Sequence, residues 1–358
     1  MATKLSDTQT YLHPTVPLAI YAPGEFGKQQ AKTAEGVLRY GSNPIACVID
    51  ATQSGKSIKE LTGIDCQAPI VASIEEAASL KSGALLLGTA WPGGAMPPEW
   101  KADIVRALEN GMDVVNGLHD FLEEDERIVK TAKEHGRQLF DVRKSPDHLP
   151  VAAGRVMQSN AYVVLTVGTD CSVGKMTVSL EIQKSARQQG ISCGFVATGQ
   201  TGIMICGKGI AIDRVIGDFM AGATEKLVLE AAEQSDLIMV EGQGSLAHPG
   251  FSGVTMALVH GACPQAMVLC HRPSRKNIKG TDMAISDYKR LIETYESMAA
   301  YMRPSKVVAI ALNTHDLSKE QAEHEIALAQ KLTGLPTTDP VRFNGDILLK
   351  AILDRKNQ

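Results

Sequence analysis

Short apolar runs alternate with longer amphipathic stretches along the 358 residues, the pattern of βαβ units feeding a parallel sheet. In the first half, strands are expected at Pro17–Tyr21, Ile45–Ile49, Ile70–Ala72, Ala84–Leu87, Met112–Val115 and Gln138–Asp141. Helices are expected near Gln29–Arg39, after a turn at Pro23–Lys28, and at Ser73–Leu80. The second half predicts strands at Ala161–Val167, Ser192–Ala197, Leu237–Val240, Ala266–Cys270 and Lys306–Ala311. Its helices are expected at Gly174–Gln189, Ile216–Glu233, Met283–Ala300, Lys319–Leu332 and Asn344–Asp354.

Between the halves, Lys144–Asn160 contains KSPDHLP and AAGR and keeps neither period, so the domain boundary is placed there. The expected fold is α/β: a Rossmann-like domain over 1–150, then a P-loop NTPase-like domain with a mostly parallel sheet over 151–358.

Composition narrows the function classes. A net charge of −4 and 4% aromatic residues argue against a nucleic-acid partner. The polar start, MATKLSDTQTYLHPTV, does not read as a signal peptide, and no apolar run reaches membrane-spanning length. Seven scattered cysteines without a CxxC pair fit reduced thiols, and with them a cytoplasmic location. Open α/β enzymes of this size are often homo-oligomers, which is the expectation here.

The chemistry concentrates at GTDCSVGKMT. Gly168, Thr169, Asp170, Cys171, Ser172, Val173 and Gly174 form a loop between strand and helix, followed by Lys175, Met176 and Thr177. Glycines at both ends let successive N–H groups turn inward, and the helix start and Lys175 add positive charge, so a phosphate group is the expected ligand. The loop departs from the Walker A pattern by one extra residue and by Met176, whose thioether is no ligand for Mg²⁺. Cys171 at a helix N-terminus raises the idea of an acetyl-cysteine step, against that of a packed small residue.

The strand Leu237–Val240 ends in Glu241-Gly242-Gln243-Gly244-Ser245, where a carboxylate points toward the ligand crevice of an open sheet. Glu241 is a candidate base or metal ligand. His248 is a second candidate base, or an ordinary loop histidine. Gln243, Ser245 and the loop TGQTG, with Gln200 and Thr201, are candidates for substrate contacts. So are Arg214, Arg272 and Arg275; for Arg214 a surface salt bridge is the competing reading. Asp218 reads as a helix cap. In the first half, Pro23–Lys28 and Asp50 form an incomplete dinucleotide fingerprint, and Trp91–Met96 reads as a lid or interface loop.

GTDCSVGK with VEGQGS resembles dethiobiotin synthetase and its P-loop relatives. That likeness implies an ATP- and Mg-dependent ligase or kinase, with Asp170 and Glu241 as metal ligands and Asn313 on the adenine side. A resemblance covering nearly the whole chain rests on TGQTGIMICGKGIAIDRVIGDFMAGATE (198–225), VEGQGSLAHP (240–249) and the Rossmann-like first domain. These are similar to the DgcN-like D-glutamate N-acetyltransferase family, formerly a domain of unknown function. The resemblance implies acetyl transfer from acetyl-CoA to an acidic D-amino acid, the phosphate loop holding the CoA donor. Catalytic roles then fall to Glu241, His248 and Lys175. A non-catalytic nucleotide-binding module is a third reading.

Overall fold

The structure, a computed structural model, describes residues 11–90 and 95–358. The Trp91–Met96 loop therefore lies largely outside the described residues. The chain divides into two compact units, one of residues 1–146 and 200–211, the other of 147–199 and 212–358.

The first unit is built on six parallel strands: β1 (Leu18–Tyr21), β2 (Ile45–Ile49), β3 (Ile70–Val71), β4 (Ala84–Leu87), β5 (Asp113–Asn116) and β6 (Leu139–Asp141). Their order, β3-β2-β1-β4-β5-β6, is doubly wound, with its reversal between β1 and β4. Leu85, Leu87, Val114 and Ala19 of the sheet are buried with Trp100, Ile104 and Leu108 of the helix Pro98–Glu109. Asp50, at the end of β2, is fully buried. Its carboxylate accepts from the Phe26 amide at 3.1 Å and from the Thr52 amide and hydroxyl at 2.9 and 2.7 Å. The aspartate of the incomplete dinucleotide fingerprint thus ties the Pro23–Lys28 turn to the neighbouring strand.

The second unit has six parallel strands as well: β7 (Tyr162–Gly168), β8 (Cys193–Val196), β9 (Leu237–Val240), β10 (Ala266–His271), β11 (Lys306–Leu312) and β12 (Thr337–Thr338). They are ordered β12-β11-β10-β7-β9-β8. All seven residues of β7 are buried, as expected for a central parallel strand covered on both faces. Parallel register brings the ends of β7, β9 and β10 to one edge, with Cys270 beside Gly168 and Val240 beside Leu165.

Three expectations are corrected. The TGQTG loop is a loop only to Gly199; Gln200–Cys206 is a helix belonging to the first unit, where the Thr201 hydroxyl meets that of Thr33 at 2.8 Å. Its Ile203-Met204-Ile205 segment is apolar and buried, and it supplies a core-facing helix instead of a polar turn. Asp218 is not a cap: Ile216 holds that position and no side chain caps the helix Gly217–Ala232. The helix expected from Met283 starts at Tyr288, because 277–284 form an antiparallel bridge and the Asp287 side chain caps the Arg290 amide.

The irregular stretch before β7 is held by one carboxylate. Glu225, in the helix Gly217–Ala232 and fully buried, accepts from the Ala153 amide, the Arg155 amide at 2.7 Å and Arg155 Nε at 2.8 Å. Burial pushes its carboxyl up, and the Arg155 and backbone hydrogen bonds outweigh that and leave it below the usual carboxylate range. Glu225→Ala strands two amides and is expected to cost about 3 kcal/mol in urea unfolding. Arg155→Ala, whose side chain is half exposed, is expected to cost under about 1 kcal/mol.

Candidate functional site

The loop after β7 turns on two positive φ values, 53° at Ser172 and 103° at Gly174, which opens the helix Lys175–Gln188. No side chain caps that helix, so its first-turn amides remain for a ligand or water. Met176 and Thr177 follow on the first turn, both half-buried, and Val173 is buried.

Lys175 is 6% exposed, and its Nζ donates to the Asp170 carbonyl at 2.9 Å. Two glycines make room for it. A Cβ on Gly168 would stand 2.9 Å from Nζ, and one on Gly242 would stand 3.1 Å from the lysine Cδ and 1.7 Å from the Thr166 carbonyl. Burial pulls the ammonium's pKa down from the usual lysine value.

The Asp170 side chain is fully buried and accepts three hydrogen bonds. One carboxylate oxygen accepts from the Cys171 amide at 2.7 Å; the other accepts from Arg275 Nη1 and the Lys279 amide, both at 2.8 Å. Burial pushes its carboxyl up, and these donors outweigh that and hold it below the carboxylate range. Arg275 also donates to the Cys171 carbonyl at 2.5 Å, and Lys279 Nζ lies 3.4 Å from the Ser172 hydroxyl. Burial and the Asp170 charge push the Cys171 thiol up, which does not fit a thiolate nucleophile.

Glu241 follows β9 and is 5% exposed. Its Oε2 accepts from the Thr198 and Gly199 amides at 2.9 and 3.0 Å, both supplied by the chain after β8. Burial raises its carboxyl to about 7, the two amides opposing. On the other side of β7, the Thr169 hydroxyl meets His271 Nδ1 at 2.8 Å, and burial, with Lys276 and Arg275, lowers that imidazole to about 4. Asn313, after β11, lies 3.6 Å from where a Gly174 Cβ would stand.

Of the residues expected from sequence, the structure therefore gathers the 168–175 loop, Glu241 and Asn313 at one sheet edge. Others have structural partners. His248 takes the Gly250 amide on Nδ1 and bonds the Lys279 carbonyl through Nε2. Gln243 donates to the Thr198 carbonyl, and the buried Ser245 accepts from the Ala247 amide at 3.3 Å. Arg275 braces the loop, Arg272 pairs with Asp316 at 2.9 Å, and Arg214 is exposed in a short 3-10 turn. Gln200 and Thr201 are counted with the first unit. Sequence reasoning missed Lys279 and Tyr295, whose hydroxyl donates to the Gly168 carbonyl at 2.7 Å and accepts from the Leu246 amide. The basic run from Arg272 hinted at Lys279; nothing hinted at Tyr295.

Asp170, Cys171 and His248 place ligand atoms within 4.8 Å of one another, a spacing that a cation requires. Their donor occupancy disfavours one: Asp170 already accepts three hydrogen bonds, one of them from the Arg275 cation, and a cation on His248 has to break a bond to Gly250 or Lys279.

Two family models match the chain. Residues 150–349 match a domain of unknown function (DUF1611_C) described as a P-loop domain, and residues 51–145 match DUF1611_N, a Rossmann-like domain. A D-glutamate N-acetyltransferase of Pseudoalteromonas sp is 39% identical over 279 residues, covering 77% of this chain and 83% of the relative. One of Tritonibacter scottomollicae is 39% identical over 282 residues, covering 78% and 84%. The crystal structure of a DUF1611 family protein from Anabaena variabilis, 39% identical, superposes with a TM-score of 0.91 over 95% of this chain and all of that one.

Gly242→Ala is expected to destabilise the protein by at least about 3 kcal/mol in thermal or urea unfolding, since the new methyl meets a backbone carbonyl that cannot retreat without moving β7.

Proposed function

Taking as premise that the chain belongs to the DUF1611 family, we propose that it is an N-acetyltransferase carrying acetyl from acetyl-CoA to the amino group of D-glutamate or a related acidic amino acid. The observation that carries this reading is the buried Lys175. An ammonium has three N–H groups; among the described residues one is met by a carbonyl, and the helix amides beside it lack a cap. Such a site is built to receive an anionic group, and the pyrophosphate of CoA is one. The names of the curated relatives support both the reaction and the acceptor.

Glu241 is the base in this reading. Acceptor nitrogen attacks the thioester carbon, an N–C bond forms, the C–S bond breaks, and the amine proton passes to the Glu241 carboxylate and from there, through water, to the departing thiolate. A carboxyl near 7 matches that task better than an ordinary one, because a base works best with a pKa close to the working pH.

Purified protein given acetyl-CoA and a panel of D- and L-amino acids is expected to yield N-acetyl-D-glutamate by mass spectrometry. No acetylated product from any acid, with tight Mg-ATP binding and no CoA binding, overturns the proposal in favour of a ligase or kinase. Glu241→Gln is expected to lower kcat by about 10²–10⁴-fold, and Lys175→Ala to raise the KM for acetyl-CoA by about 10–100-fold.

The base acts in its deprotonated form, and burial raises its pKa. Activity is therefore expected to be low below pH 7, to rise through about 7 and to level off above it. A profile of kcat against pH checks this, and the acid limb should vanish in Glu241→Gln.

A further inference from the structure

We propose that the Arg275 guanidinium occupies the role a divalent cation plays in metal-dependent phosphate loops, so that this loop binds its phosphorylated ligand without a metal. The aspartate of GTDCSVGK is where the ligase resemblance implies Mg²⁺. Here both its oxygens are taken: Cys171 amide on one, Arg275 and the Lys279 amide on the other. The guanidinium is 15% exposed against a fully buried carboxylate, so the pair is substantially desolvated, and removing one partner would leave an uncompensated buried charge.

Arg275 does more than neutralise Asp170. Its donors also reach the carbonyls of Cys171 at 2.5 Å and Ser172 at 3.5 Å, so three acceptors of one loop converge on a single cation. A bound metal would gather loop oxygens in a comparable way. Arginine does so with a planar fork that stays charged at all working pH values.

The rest of the donor set agrees. The position after the loop lysine is Met176, whose sulfur is a poor match for a hard cation, and Cys171 offers a second soft atom. Glu241, the other metal ligand that the resemblance implies, turns Oε2 to the Thr198 and Gly199 amides. With Asp170 neutralised by Arg275, Lys175 and Lys279 are left as two ammonium groups at the loop to meet phosphate charge.

This inference concerns the phosphate loop and does not need acetyl transfer to be the reaction. Its test uses the full chain with three probes: CoA, inorganic pyrophosphate and Mn²⁺. Calorimetry of CoA and of pyrophosphate is run in EDTA and in excess Mg²⁺, and Mn²⁺ binding is followed by loss of the free-ion electron paramagnetic resonance signal. The wild type is expected to bind at least one phosphate probe with affinities in EDTA and Mg²⁺ equal within about twofold, and to take up no Mn²⁺ at the loop. Arg275→Met is expected to weaken that binding in EDTA by about tenfold or more. In the same variant the freed Asp170 carboxylate is expected to bind Mn²⁺.

Stoichiometric Mn²⁺ uptake by the wild type, or affinity that rises about tenfold or more with Mg²⁺, overturns the inference. Binding of neither phosphate probe overturns both this inference and the proposed function. Metal-free pyrophosphate binding by a protein that acetylates no amino acid keeps the first and removes the second. The wild-type comparison decides the matter even where Arg275→Met does not fold.

Discussion

A lysine ammonium held inside a protein with, among the described residues, a carbonyl as its hydrogen-bond partner is costly, because burial removes water from a charge that a neutral dipole only partly replaces. Lys175 is in that position. The second unit is arranged to tolerate it. Gly168 and Gly242 open the space that the side chain runs through, from two neighbouring strands whose parallel register sets their ends side by side. Tyr295 pins the Gly168 carbonyl, and the Thr166 hydroxyl accepts the Gly242 amide at 3.0 Å, so both walls are fixed from behind. In the proposed reading, a buried ammonium between walls this constrained favours a ligand that brings negative charge over a neutral one.

The surrounding ionisable groups keep that preference. Asp170, the nearest acid in sequence, is spent on Arg275 and two amides. Glu241 sits where burial favours its neutral form up to about pH 7. His271 is held neutral at that pH. The field at the loop is thus set by cationic side chains and helix amides, and Glu241, whose carboxyl burial raises to about 7, lies on the neighbouring strand end.

Much of this was legible from residues alone, and for a physical reason. Parallel strands buried on both faces are continuous apolar runs, so β7, β9, β10 and β11 stand out from the helices between them. Glycine at both ends of a strand-to-helix loop, with lysine next, has few other uses. What stayed hidden depends on contacts distant in sequence. Arg275 reads as a cation near a strand end, yet its partner lies 105 residues earlier in the chain. The crossing of Gln200–Cys206 into the first unit has no local mark, since a buried apolar turn of helix looks the same whichever core receives it. The two-residue β12 is too short to show a period.

Under the proposed reaction, the same contacts favour one of the two bases that the sequence offered. A single neutral tautomer satisfies His248: a proton on Nε2 serves the Lys279 carbonyl, and the bare Nδ1 accepts the Gly250 amide. To take a proton from a substrate, that ring must give up the Gly250 bond and turn a buried acceptor away from its donor. Its geometry suits another purpose, tying 248–250 to the segment that carries Arg275. Glu241 faces no such conflict. Two amides hold one of its oxygens in either charge state, and burial rather than a competing partner sets its affinity for a proton. Carboxylate catalysis at this edge therefore costs no structural bond, whereas imidazole catalysis would loosen the brace on the phosphate loop in the same step that needs the loop rigid.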